Sequence, residues 1–180
     1  MKEFITKPNT FTSIYIHTVF SVKNRASLIS NHRKNNLYAY ITSIITNNGD
    51  NVIAIGGMPD HVHIFMSIHN TTKPLSDLMR AVKGDSSRWI NENKISVRRF
   101  GWQSGYGAFS CDPKDIDAIA NYIRNQEEHH SNKKFIDEYK QLLIREGIEF
   151  DEKHIFQPVG EHADINNVPP YAWTAVSPQY

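Results

Sequence analysis

Apolar and polar residues alternate along residues 11–22, a run rich in β-branched and aromatic types. That period of two is the mark of a strand with one face buried. The period then lengthens. Leu37, Ile41, Ile44 and Ile45 recur three or four apart, which predicts a helix over residues 32–48 ended by Asn47-Asn48-Gly49. Residues 51–58 and 61–68 predict two more strands, joined by a tight turn at Pro59-Asp60. Pro74 opens a second helix with the apolar stripe Leu75, Leu78, Met79, Val82, Trp89 and Ile90, and residues 105–111 predict a last strand. The order βαββαβ predicts an α+β fold: a ferredoxin-like two-layer sandwich, with an antiparallel sheet on one side and helices on the other.

Additional C-terminal helices follow this core. Asp112 suits an N-cap, Pro113 the first helical position and Asp115 the first turn, so a helix start is well specified there. Its buried stripe is Ile116, Ile119 and Ile123. A further helix is predicted over residues 133–150 from Phe135, Tyr139, Leu142 and Leu143. Beyond residue 156 no period is visible, and Pro158, Pro169, Pro170 and Pro178 punctuate the chain. The expected organisation is therefore one domain over residues 1–156 and a Pro/Asn-rich tail over residues 157–180, to which no function is assigned.

Composition narrows the picture only slightly. With 39% hydrophobic and 22% charged residues among 180, the chain has the makings of a folded core and not of a disordered segment. The single cysteine, Cys111, has no internal disulfide partner, and the chain starts Met-Lys-Glu-Phe without a long apolar stretch, so a cytoplasmic, non-membrane protein is expected. Charge is more telling in its distribution than in its sum of +1: residues 1–100 carry a net +7 and residues 101–180 a net −6. Clustered cations suit a phosphate backbone, and the basic half is the half that holds the candidate histidines described next.

Those histidines are His61 and His63, in the run Pro59-Asp60-His61-Val62-His63-Ile64-Phe65-Met66. In a strand, positions i and i+2 face the same way ~7 Å apart, so both imidazoles can reach one divalent ion. About sixty residues on, Tyr122 and Gln126 stand four apart and project side by side from a helix, flanking its apolar stripe. On the residues alone, such a tyrosine packs at the edge of a core with its hydroxyl in solvent.

The two motifs together, His-Val-His and Tyr-Ile-x-Asn-Gln, resemble the TnpA-type transposases of small insertion sequences, the single-tyrosine branch of the HUH endonucleases, which includes the REP-associated relatives. The likeness extends to the run from Tyr15 to Arg25, to Gly56-Gly57 before Asp60-His61, to the run from Trp102 to Ser110, and to Gln126-Glu127-Glu128-His129-His130. It covers residues 11–156. The resemblance implies that Tyr122 is the nucleophile and that His61, His63 and Gln126 hold Mg²⁺ or Mn²⁺. It implies further that the chain, as a homodimer, cuts and rejoins single-stranded or hairpin DNA at element ends through a 5′-phosphotyrosine. Candidate DNA-binding residues are Lys23, Arg25, Arg80, Lys83, Arg98, Arg99 and Trp102, since cations follow phosphates while rings stack on unpaired bases.

Two other readings stand beside this one. A host-recruited relative acting on scattered repeats would use the same chemistry without a mobile element. A ferredoxin-like nucleic-acid-binding module would use His61, His63 and Tyr122 without catalysis. A two-histidine phosphodiesterase needs two His-x-Thr/Ser repeats, which His17-Thr18-Val19 with His61-Val62-His63 does not supply.

Overall fold

The computed structural model describes residues 11–96, 98–126, 135–151 and 155. Strand β1 (Tyr15–Ser21), helix α1 (Lys34–Asn47), strands β2 (Asn51–Met58) and β3 (His61–Ser67), helix α2 (Leu75–Glu92) and strand β4 (Gly107–Ser110) follow in that order. The sheet runs β2-β3-β1-β4 with every neighbouring pair antiparallel. This is the ferredoxin-like arrangement that the alternation of periods requires. Strand ends differ for local reasons. Residues 11–14 are exposed and lie outside the ladder, and β4 starts only after Gly105, whose φ of 78° is incompatible with an extended strand.

Helices α1 and α2 cover one face of the sheet. Leu37, Ile41 and Ile45 from α1 and Leu78, Met79, Val82 and Ile90 from α2 bury Phe20, Val22, Val62, Ile64 and Met66. The other face is covered as well, by helices α3 (Ile116–Arg124) and α4 (Phe135–Arg145). Ala120 and Ile123 pack on Ala54 and Phe65, while Phe135, Tyr139, Leu142 and Leu143 pack on Val19 and Phe109. The additional C-terminal helices thus form a third layer on the two-layer core. Strand β3 is in consequence buried at every position, which puts its histidines in the interior and not on an open sheet face.

The ends of α3 and α4 decide where the chemistry-bearing side chains fall. The Asp112 carboxylate accepts a hydrogen bond from the Lys114 amide at 3.0 Å, and a 3-10 turn over Pro113–Asp115 leads into α3. Helix α3 stops at Arg124, so Tyr122 sits in its last turn and Gln126 follows a turn at Asn125 (φ −101°, ψ 24°). The two are therefore not neighbours on one unbroken helix, as the spacing alone had implied. Residues 127–130, with the Glu-Glu-His-His run, lie outside the described residues, as do residues 133–134 and the tail from 157 to 180. Helix α4 ends earlier than residue 150 because Gly147 takes a left-handed φ of 65° and its amide bonds back to the Ile144 carbonyl, a glycine stop.

Candidate active site

His61 and His63 project from β3 toward α3 and α4, and both are fully buried. The register places Ser21 opposite His61 and Val19 opposite His63 on one side, with Met58 and Gly56 opposite them on the other. Each ring is held through Nδ1. His61 Nδ1 lies 2.7 Å from Asp60 Oδ1, and His63 Nδ1 lies 2.9 Å from His17 Nε2. Phe135 on α4 stacks on the His61 ring at 4.0 Å between centroids.

One turn along α4, Glu138 brings its carboxylate to 3.7 Å from His63 Nε2. One ligand atom each from His61, His63 and Glu138 lie within 4.8 Å of one another. Burial, and secondarily the negative charge of Asp60, pushes the Glu138 carboxyl up to about 7. Gln126 is 1% exposed and donates from its amide nitrogen to Glu138 Oε1 at 3.3 Å. Its Oε1 is buried and accepts no hydrogen bond among the described residues. A buried carbonyl oxygen in that position is costly unless something positive meets it. Two imidazoles, a carboxylate and an amide oxygen are a fitting donor set for Mn²⁺ or Mg²⁺, the carboxylate supplying the charge that the three neutral groups lack.

Glu138 was not among the residues singled out by the sequence. The signal was present: with Phe135 and Leu142 it falls at i, i+3 and i+7, an acid on the buried stripe of its own helix.

Tyr122 reaches the same place from α3. Its ring stands edge-on at 6.0 Å from the His63 centroid and 6.4 Å from that of His17. The ring is half-buried and opens on a cleft of about 810 Å³ between α3 and α4, which His17, Glu138 and Arg145 also line. Burial, with the Arg145 charge second, holds His17 down at about 4, so its imidazole is neutral. Asp112, Asp115, Glu138 and Glu146 outnumber Arg145 along this lining. The site thus does not sit in a positive surface as the +7 half of the chain suggested, because the covering helices come from the acidic half.

Gly56 is what lets α3 come so close. A Cβ on it would fall 2.1 Å from the Ile123 carbonyl oxygen, next in sequence to Tyr122. Gly56→Ala must push the helix backbone away, at a cost of about 1–3 kcal/mol, or roughly 2–4 °C of melting midpoint per kcal/mol. The displacement carries Tyr122 with it. Thermal melting of the purified variant checks this, and an unchanged midpoint would show that α3 yields to the added methyl group without cost.

The proposed DNA-binding residues divide into two groups. Arg98 and Arg99 are exposed in the segment after α2, where they line an open cleft with Arg88 and Lys94. The amide of the exposed Lys23 bonds the Gly101 carbonyl at 2.8 Å, which brings Lys23 beside that segment. Arg25 closes the same short turn, and its side chain lies outside the described residues. Arg80 is exposed on α2 and pairs with Asp77 at 2.8 Å. Lys83 and Trp102 are in addition tied into the fold. Lys83 donates to the carbonyls of Gln103 and Gly105 at 2.6 and 2.5 Å, and burial holds its amine down at about 8. Trp102 meets Phe20 and Phe100 edge-on at 4.7 and 4.8 Å, and its indole N–H is bound to Ser86 Oγ. The ring packs against the core and is only partly buried.

The sequence of this chain matches the family model described as Transposase IS200 like over residues 10–126. The chain belongs to the IS200-like transposase family. The ISDra2 transposase TnpA of Deinococcus radiodurans is 26% identical over 115 residues, spanning 61% of this chain and 81% of that protein. A solved structure of the REP-associated tyrosine transposase bound to a REP hairpin shares the fold at a TM-score of 0.54 and 14% identity, covering 93% of this chain and 95% of that one. The function of this transposase is DNA transposition by single-strand cleavage of the HUH type, with DNA as its partner. None of its described helices is long and apolar enough to cross a membrane.

Proposed function

We propose that this transposase cuts single-stranded or hairpin DNA at element ends with Tyr122 as nucleophile and a divalent ion, Mg²⁺ or Mn²⁺, held by His61, His63, Gln126 and Glu138. The observation that carries the reading is the 6.0 Å approach of Tyr122 to His63 within one chain, at the group of donors lying within 4.8 Å of one another. When bound, the ion would polarise a phosphate oxygen and offset its charge. The Tyr122 hydroxyl attacks phosphorus and loses its proton to solvent. The bond to the 3′-oxygen breaks, that oxygen takes a proton from solvent and leaves as a free 3′-hydroxyl, and the 5′-phosphate stays on the tyrosine. Because the phosphotyrosine keeps the energy of the broken ester, a 3′-hydroxyl from another end can reverse the step without ATP.

Two copies would bring two tyrosines and so allow two ends to be cut and exchanged, which favours a homodimer in the working state. The approach of Tyr122 to His63 of its own chain favours a site completed within one copy. The reading as a non-catalytic binding module is disfavoured by the same geometry, because a module needs no carboxylate pushed toward two buried histidines.

Lys23, Arg25, Arg80, Arg98 and Arg99 would hold the DNA backbone, with Lys83 and Trp102 shaping the segment that presents them. Replacing Arg98 and Arg99 together with alanine weakens hairpin binding and lowers its salt slope by roughly 1.5, since about two counterions fewer are released. Binding measured across a salt series checks this, with perfect duplex as the competitor. An unchanged slope would move the DNA surface elsewhere, and equal affinity for duplex would sink the single-strand reading.

The experiment that tests the whole reading is incubation with labelled single-stranded DNA from the flanks of the gene, followed by denaturing electrophoresis. A denaturant-resistant protein–DNA adduct is expected.

A further inference from the structure

We infer that His17, on β1, is a positioning residue for the metal site: it accepts the Nδ1 proton of His63 and so fixes which nitrogen of that ring is offered to the ion. The inference rests on the metal reading above. The 2.9 Å contact joins His17 Nε2 to His63 Nδ1, and the two rings stack at 5.1 Å and 25°. A hydrogen bond between two imidazole nitrogens has one donor and one acceptor, so its direction sets the tautomer of both rings. Only when His63 donates from Nδ1 does its Nε2, the nitrogen 3.7 Å from Glu138, keep a lone pair for an ion. If His17 donated instead, a neutral His63 would carry its proton on Nε2 and close that position.

His61 shows the same arrangement with a different partner. Its Nδ1 lies 2.7 Å from the Asp60 carboxylate, which as an anion can only accept. His17 therefore does for His63 what Asp60 does for His61, and each ring keeps its buried Nε2 for an ion. Partners of this kind orient metal-binding histidines and are worth about 10–100-fold in affinity. A neutral partner at His63 has a physical reason. The Glu138 carboxyl stands there already, and the Asp60 charge already acts on it through space, so a further carboxylate would add repulsion where an imidazole adds none. The tilted Phe109 ring at 6.1 Å and the edge-on Tyr122 ring at 6.4 Å pack against the His17 plane.

The test titrates Mn²⁺ into the purified full chain by calorimetry, in wild type, His17→Leu and His17→Gln. The leucine variant is expected to bind Mn²⁺ about 10–100-fold more weakly. The glutamine variant, whose amide oxygen can stand at the place of Nε2 and accept, recovers most of the loss. A role in packing alone would lower the melting midpoints of both variants and leave both affinities at the wild-type value, and that result overturns the inference. Ring-nitrogen NMR of isotope-labelled wild type gives a readout that no folding failure can spoil. It should show His63 protonated at Nδ1 and bare at Nε2, and a proton on Nε2 would refute the assignment. If wild type takes up no Mn²⁺, the metal reading fails, and the tautomer alone then decides whether His17 orients His63.

Discussion

Tyr122→Phe removes the covalent protein–DNA adduct and leaves hairpin binding in place. The change deletes one oxygen from a ring that otherwise keeps its edge contacts at 6.0 Å from His63 and 6.4 Å from His17. The ring itself is kept, so the fold and the cleft should survive. Cleavage should fall by on the order of 10⁴-fold or more, as expected when a nucleophile is removed from an otherwise intact site. The adduct is read on a denaturing gel and hairpin affinity by filter binding. An adduct of normal yield in the variant would take Tyr122 out of the mechanism, whatever the geometry around it.

Chelation has the second largest effect. Cleavage should stop in EDTA and return with Mn²⁺ or Mg²⁺. His63→Ala should reduce it more than about 100-fold, beyond the loss ascribed to an outer partner. Glu138→Gln is the more discriminating change. It preserves shape and the hydrogen bond with Gln126 while removing the one charge among the donors, so cleavage should become dependent on raised Mn²⁺ concentration. Burial of an uncompensated carboxylate is unfavourable, so the same variant should melt no lower than wild type in the absence of metal. A Glu138→Gln chain with wild-type metal dependence would return Glu138 to the role of a buried structural acid.

Much of this site was legible locally. The placement of His61 and His63 on one face needs nothing beyond the two-residue repeat of a strand, and the entry into α3 is encoded within the four residues from Asp112 to Asp115. The βαββαβ order likewise follows from alternating periods, since each period is a property of neighbouring residues. Other positions gain contacts that local reasoning does not supply. In a run of cations and rings, Trp102 also packs on Phe20 and Phe100, and Lys83 also ties down the carbonyls of Gln103 and Gly105.

What the sequence determined by itself is the order of elements, the shared face of the two histidines and the start of the helix that carries Tyr122. Each of these is fixed by side-chain periodicity, by caps or by a motif read along the chain. Only the tertiary structure decided that Glu138, twelve residues beyond Gln126, closes the group of donors, that His17 stands behind His63 from a strand 46 residues away, and that α3 rests its backbone on Gly56. These are packing contacts between elements distant in sequence, set by how two helices from the acidic half of the chain settle on the second face of the sheet. No period or spacing within one segment encodes them, because each depends on the shapes of both partners at once.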